Sequence, residues 1–157
     1  VAHIKKLNPA HVAAIAKTVN TCPYFTLLSM ELKSFDMGES RLEIVVQEKH
    51  LQPYGIVHGG VCASITDAAI YWAVYAGREE TVGLTTLELK LNYLAPVSAG
   101  RLIAKGRSVK AGKSICLGEA SVEDDKGNLV AHGTSTLMVL DSLKIHGQSQ
   151  FPPKFID

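Results

Sequence analysis

The fold turns on residues 52–77: Gln52-Pro53-Tyr54-Gly55-Ile56-Val57-His58-Gly59-Gly60-Val61-Cys62-Ala63-Ser64-Ile65-Thr66-Asp67-Ala68-Ala69-Ile70-Tyr71-Trp72-Ala73-Val74-Tyr75-Ala76-Gly77. The segment opens with turn residues, passes through His58-Gly59-Gly60 and then runs mostly apolar to Gly77. Val61, Ala68, Ala69, Trp72, Ala73 and Ala76 recur at helical spacing with no proline among them. The pattern predicts one long buried helix starting at or just after His58. Gly77 is a natural C′ residue, since glycine tolerates the positive φ that ends many helices. Nearly every side chain is small or apolar, as suits a helix wrapped by a sheet. Asp67 is the exception. A buried, unpaired carboxylate is costly or becomes protonated, so its place in mid-helix points to chemistry.

Working outward, Asn8-Pro9 supplies an N-cap and an N1 residue for a first helix over 9–21, with Val12, Ile15 and Val19 on its apolar face. Cys22-Pro23 stops it, because the residue before proline avoids the α region. Residues 24–35 read as a strand, 36–39 as a turn and 41–47 as a second strand in which Leu42, Ile44 and Val46 alternate. Beyond the long helix, Leu87, Leu89, Leu91 and Tyr93 lie on one face of a strand over 86–94, with Glu88, Lys90 and Asn92 on the other. Strands over 102–109, 114–123 and 129–140 follow, and a polar, proline-containing tail closes the chain. The order is helix, two strands, one long helix, then four strands in a meander. An α+β class results, with one curved antiparallel sheet around one buried helix.

Composition narrows the function classes. A chain of 157 residues has room for one domain with a sizeable core. A formal net charge of +1 leaves no electrostatic footprint for nucleic acid or an anionic membrane. No apolar run reaches the ~20 residues that span a bilayer, and Thr66 and Asp67 break the longest candidate. Val1-Ala2-His3-Ile4-Lys5-Lys6 lacks the apolar core of a signal peptide, and a missing initiator Met suggests a trimmed start. Cys22, Cys62 and Cys116 are odd in number and widely spaced, which implies neither a disulfide framework nor a zinc site. A reducing cytoplasm is the expected setting.

Two glycines at a helix start let a ligand approach the backbone closely. The free N–H groups there, with the helix dipole, favour an anion or a developing oxyanion. The bland alternative is a glycine turn that merely lets the chain enter the helix. From Gly60 to Asp67 the helix rises ~10 Å at ~1.5 Å per residue. One copy therefore cannot easily bring its helix start and its own Asp67 to the same reacting atom, whereas two helices packed antiparallel in a symmetric dimer can. Against this stands a structural Asp67, hydrogen-bonded to a neighbouring strand. Cys62, in the first turn, reads better as a small buried residue than as a nucleophile. Ser64 lacks a Gly-x-Ser-x-Gly elbow, and the histidines, His50 and His132 included, show no metal-ligand spacing. Trp72, Tyr71 and Tyr75 fit the core or a dimer seam. Arg101, Lys105, Arg107, Lys110 and Lys113 are mostly a solvated face, with the 110–113 turn a candidate clasp for a phosphate-bearing tail.

Gln52-Pro53-x-Gly55-x-x-His58-Gly59-Gly60, followed by six residues and Asp67, resembles the hotdog-fold acyl-CoA thioesterases of the phenylacetate-degradation type, relatives of the aryl-CoA and hydroxybenzoyl-CoA thioesterases. Asn92-Tyr93-Leu94-Ala95-Pro96 resembles the strand-ending segment of that family. The likeness covers residues 24–140. It implies a hotdog fold with an additional N-terminal helix, assembled as a homodimer sharing a continuous sheet or as a homotetramer. It also implies that Gly60 or Gly59 donates an N–H to the thioester carbonyl, which Gln52 helps to hold. His58 would shape the turn and assist the leaving thiolate. Asp67 of the partner would act as nucleophile or general base, and Thr86, with Thr85 beside it, would stand near the attacking water. This chain pairs Gln52 with Asp67, whereas relatives pair Asn with Asp or Gln with Glu, so acyl specificity does not carry over.

The expected division is an N-terminal helical extension (1–22), a hotdog domain (23–142) and a C-terminal tail (143–157), with the first helix capping the acyl pocket or an oligomer contact. The expected activity is hydrolysis of acyl-CoA to acid and CoA, with no metal or organic cofactor, CoA being part of the substrate. Tyr54, Ile56, Tyr71 and Tyr75 are the expected lining of the acyl pocket, and Lys110 and Lys113 the expected neighbours of the CoA phosphates. A non-catalytic acyl-CoA or acyl-carrier-binding module and a hotdog dehydratase are the alternatives. The first of these has no need of Asp67, and the second uses sequence contexts not found here.

Overall fold

The computed structural model describes residues 5–156. Its elements run β1 (Lys6–Leu7), α1 (Pro9–Asn20), α2 (Pro23–Leu28), β2 (Met30–Asp36), β3 (Glu39–Val45), α3 (Gly59–Ala76), β4 (Gly83–Tyr93), β5 (Arg101–Ala111), β6 (Ile115–Glu123), β7 (Leu129–Leu140) and β8 (Phe155–Ile156). Six strands form one antiparallel sheet in the order β2-β3-β5-β6-β7-β4, packed around α3 in the hotdog manner. Residues 1–4 of the expected lead-in and residue 157 of the tail lie outside the described residues.

The long helix has the expected bounds. His58 caps it in extended backbone, and its Nδ1 accepts the Gly60 N–H at 2.8 Å. Ile65, Ala69, Ile70 and Ala73 are fully buried against the sheet. The strands meet the helix backbone closely, because Gly106 of β5 leaves room that a methyl group would not. A Cβ there would lie 2.2 Å from the Ala69 carbonyl oxygen, and one on Gly118 of β6 would lie 2.5 Å from Ile70 Cγ2. Ser40 Oγ also donates to the Ala69 carbonyl, at 2.6 Å.

Several expectations are corrected. Residues 24–35 are not one strand. Pro23 opens the short helix α2, which Ser29 closes in left-handed backbone (φ 49°), and only then does β2 begin. The four late strands are not a simple meander: β5, β6 and β7 are, but β4 lies beyond β7 at the sheet edge. The link over 94–100 crosses the strand ends, and seven residues reaching ~3.3 Å each easily pass strands spaced ~4.8 Å apart. Helix α1 buries His11, Ile15 and Val19, and Val12 is only partly covered. Gly77 ends α3 at φ −84°, without a left-handed turn. The Tyr75 carbonyl is instead bonded by Lys154 Nζ at 2.6 Å and by the Arg78 N–H at 3.0 Å.

That lysine belongs to a tail that is not simply polar. Lys154 is fully buried, its ammonium 3.6 Å from the centre of the Tyr75 ring, and burial lowers its pKa to about 7. His11 bonds the Pro152 carbonyl oxygen and the Tyr75 hydroxyl, and β8 pairs with β1. The two chain ends are thereby tied over the C-terminal end of α3.

Candidate active site

Asp67 lies on the least covered face of α3. Ser64, Asp67, Ala68 and Tyr71 are half-buried there, while Ile65, Thr66, Ala69 and Ile70 are buried behind them. Thr86 Oγ1 donates to Asp67 Oδ1 at 2.8 Å. Plain alternation through 87, 89, 91 and 93 would turn Thr86 to the other face of the sheet. A β-bulge between Thr86 and Glu88 resets the register, so that Thr86 faces Leu137 while Leu89 and Leu91 face Ser135 and Gly133, all on the helix side. Burial pushes the Asp67 carboxyl up from its ordinary value, and the Thr86 bond pulls against that rise.

Beside this pair is a cavity of about 510 Å³ lined by Phe25, Met30, Ala68, Tyr71, Trp72 and Leu89, with Asp67, Thr86, Ser64 and Tyr24 as its polar groups. A carboxylate set against an apolar hollow is the arrangement of a small-molecule site. Ser64 Oγ donates to the Gly60 carbonyl at 2.8 Å and so receives the Tyr24 hydroxyl, 2.7 Å away. The wall formed by Tyr24 and Phe25 comes from α2, whereas α1 packs on β2. Pro23, a good N1 residue, was the one sequence signal for α2. Nothing in the sequence linked Tyr24 to Ser64.

The helix start forms a second cluster. The 52–57 loop is closed by the Gln52 N–H donating to Ile56 O at 2.8 Å and the Gly55 N–H to Gln52 O at 2.9 Å, with Gly55 at φ 75°. The Tyr93 ring covers Gly59 so closely that a Cβ there would lie 3.1 Å from it. Because His58 Nδ1 accepts from Gly60, the neutral ring carries its proton on Nε2. It also occupies the Gly60 N–H, while the Gly59 N–H has no hydrogen-bond partner among the described residues. Gln52 is half-buried, and none of Gln52, His58, Gly59 and Gly60 lines the Asp67 cavity of the same chain.

The remaining candidates are scattered. Tyr54 is 87% exposed and Ile56 half-buried on the 52–57 loop, away from that cavity. Thr85 is half-buried next to Thr86. Tyr75 is buried in the His11–Lys154 cluster. Lys110 and Lys113 are exposed on the β5–β6 hairpin and make no ion pair among the described residues. Cys62 is buried, and burial pushes its thiol up, away from nucleophile character. His50 is buried too, bonded to the Gln47 N–H and the Leu28 carbonyl, and burial pushes its pKa down. A larger hollow of about 720 Å³ on the outer sheet face holds Arg41, Lys105, Arg107 and Glu119, but each of these charges already has an opposite partner. Among the described residues no cluster of His, Cys, Asp or Glu is arranged to hold a metal, and no helix is long and apolar enough to cross a membrane.

Comparison with known proteins gives the geometry a family. The thioesterase superfamily matches residues 54–131, which run from the helix-start loop into β7. A Saccharolobus solfataricus protein bearing an esterase name is 33% identical over 73% of this chain and 76% of its own length. The 1,4-dihydroxy-2-naphthoyl-CoA hydrolase of Listeria monocytogenes is 28% identical over 71% of this chain and 91% of its own. A thioesterase structure from Haemophilus influenzae superposes with a TM-score of 0.78, covering 86% of this chain and 94% of that one, at 21% identity that speaks for the fold alone. An antiparallel sheet around a glycine-led helix, with a mid-helix carboxylate and these relatives, places the chain in the thioesterase superfamily of thioester hydrolases.

Proposed function

We propose that the substrate is an acyl-CoA and that the site is composite, with Asp67 and Thr86 from one protomer facing the 52–60 loop of its partner. The supporting observation is the separation within one chain. Asp67 and Thr86 line the apolar cavity, and the glycine turn stands ~10 Å up the helix, outside it. The sheet edges favour the same reading. At the β2 edge, the Asn20 side chain bonds both the N–H and the carbonyl of Leu32, and a bulge follows. The β4 edge carries eleven residues, pairs among the described residues only with β7 and exposes Leu87 and Tyr93. An open edge of that length invites a second copy, and antiparallel pairing there by a two-fold axis brings two α3 faces together.

In this site the acyl chain enters the apolar cavity. Tyr54 and Ile56 close it from the partner loop, and the CoA phosphates lie toward Lys110 and Lys113. The Gly59 N–H, with Gln52, receives the thioester carbonyl oxygen. Thr86 fixes one oxygen of Asp67, leaving the other to take a proton from water. Oxygen–carbon bond formation gives a tetrahedral oxyanion, whose collapse breaks the C–S bond. The thiolate takes the proton that Asp67 accepted from water, with His58 Nε2–H as a hydrogen-bond donor to the leaving sulfur, yielding acid and CoA. A carboxyl raised by burial is the stronger base for this step.

Thiol release from aryl- and alkyl-CoA esters tests the reading, with wild type and Asp67→Asn side by side. Loss of a general base costs about 10²- to 10⁴-fold in rate, and the variant should remain folded. Full activity in Asp67→Asn would refute the role, and binding without turnover by wild type would refute the activity. A single turnover in ¹⁸O-water probes the two roles of Asp67: label in Asp67 requires that it acted as nucleophile, whereas label in the acid alone fits a general base or attack of water on the acyl carbon of an acyl-aspartyl anhydride.

A further inference from the structure

We propose that Tyr71 is the end wall of the acyl pocket and sets the length of acyl chain the enzyme accepts, an inference that rests on the acyl-thioester reading above. Two cavities share Tyr71 in their walls. On one side is the Asp67 cavity of about 510 Å³, and on the other a space of about 210 Å³ bounded by Tyr75, Val82, Gly83, Leu143 and Ile145. Among the described residues, Tyr71 alone lines both. It follows Asp67 by four residues on α3, so it stands one turn further along the same helix face.

The ring is held as a wall. It stacks on Tyr75 with centroids 6.4 Å apart and planes 10° apart, and it meets Trp72 edge-on at 5.0 Å. The rear space is suited to hydrocarbon, although Gln148 borders it, because that side chain is already satisfied. Gln148 Nε2 donates to the Glu80 carbonyl at 2.7 Å, and its Oε1 accepts the Ile145 N–H at 2.9 Å. Lys144, which also borders the space, is exposed to solvent. At ~30 Å³ per water molecule, such a volume holds roughly seven waters, which is room for several further methylenes.

The test is kcat/KM across straight-chain acyl-CoA esters of increasing length, for wild type, Tyr71→Phe, Tyr71→Leu and Tyr71→Ala. Tyr71→Phe keeps the ring and should keep the wild-type length profile. Tyr71→Leu and Tyr71→Ala should move the optimum to longer chains. Each newly buried methylene is worth roughly fourfold, so the long-to-short ratio of kcat/KM should rise at least ~10-fold. Adding Val82→Phe to Tyr71→Ala refills the rear space and should return the shorter optimum. An unchanged length profile in folded Tyr71→Leu and Tyr71→Ala overturns the inference while leaving the thioesterase reading intact. A wild type that hydrolyses no acyl-CoA overturns that parent reading, and this one with it.

Discussion

Replacing Thr86 with Val keeps the branched shape and removes one hydrogen bond, the 2.8 Å contact to Asp67 Oδ1. That bond favours the charged carboxylate and opposes the rise caused by burial. Without it the carboxyl's pKa climbs further, and less of it is ionised at any pH on the acidic side. A hydrogen bond to a charged group is worth ~1.5–3 kcal/mol, and ~1.36 kcal/mol is tenfold. On the acidic limb of its pH profile, Thr86→Val should therefore lose about 10- to 100-fold in kcat/KM. At alkaline pH, where Asp67 is ionised in both proteins, most of the rate should return. Thr86→Ser, which keeps a hydroxyl, should stay close to wild type. The assay is thiol release from one good substrate, measured from acid to alkaline pH on all three proteins. An acidic limb that does not move would refute the reasoning, whatever the variant does to the overall rate.

Two further predictions concern the frame. Gly106→Ala would put a methyl group 2.2 Å from the Ala69 carbonyl and 2.5 Å from Ser40 Oγ, neither easily displaced, so urea unfolding should show a loss of about 1–3 kcal/mol or more. Lys154→Met removes a buried amine whose folded pKa is lowered to about 7 from 10.5. As pH falls from 10.5 toward 7 the unfolded chain takes up a proton that the folded chain refuses, so wild type loses stability over that window and levels off below it. The stability of Lys154→Met relative to wild type should thus grow between about pH 10 and pH 7 and then stay constant, and a pH-independent difference would contradict the burial argument.

Much of this was legible in the sequence because it rests on local periodicity. The α3 bounds followed from an apolar run between a histidine–glycine turn and Gly77, and Asp67 stood out because its charge conflicts with that run. The rest depends on contacts distant in sequence. The order β7-β4 is set by a crossing loop that alternation does not report. The bulge that turns Thr86 toward Asp67 has no glycine to mark it, and plain alternation would have placed that hydroxyl on the wrong face. The Tyr24–Ser64 contact spans 40 residues, and the Lys154–Tyr75 contact spans 79. In α1 the buried position fell to His11 instead of Val12 because His11 finds two partners, Pro152 and Tyr75, that its own helix does not supply.

The central claim is that Asp67 of one protomer works with the 52–60 loop of the other, and complementation tests it most directly. Asp67→Asn and Gln52→Ala proteins, each impaired alone, are unfolded together, refolded as an equal mixture and assayed for thiol release. Random pairing makes half the dimers mixed, and each mixed dimer holds one site with both native contributions. The composite site predicts recovery to about one quarter of wild-type activity. A mixture that stays at the average of the two separate variants would contradict it.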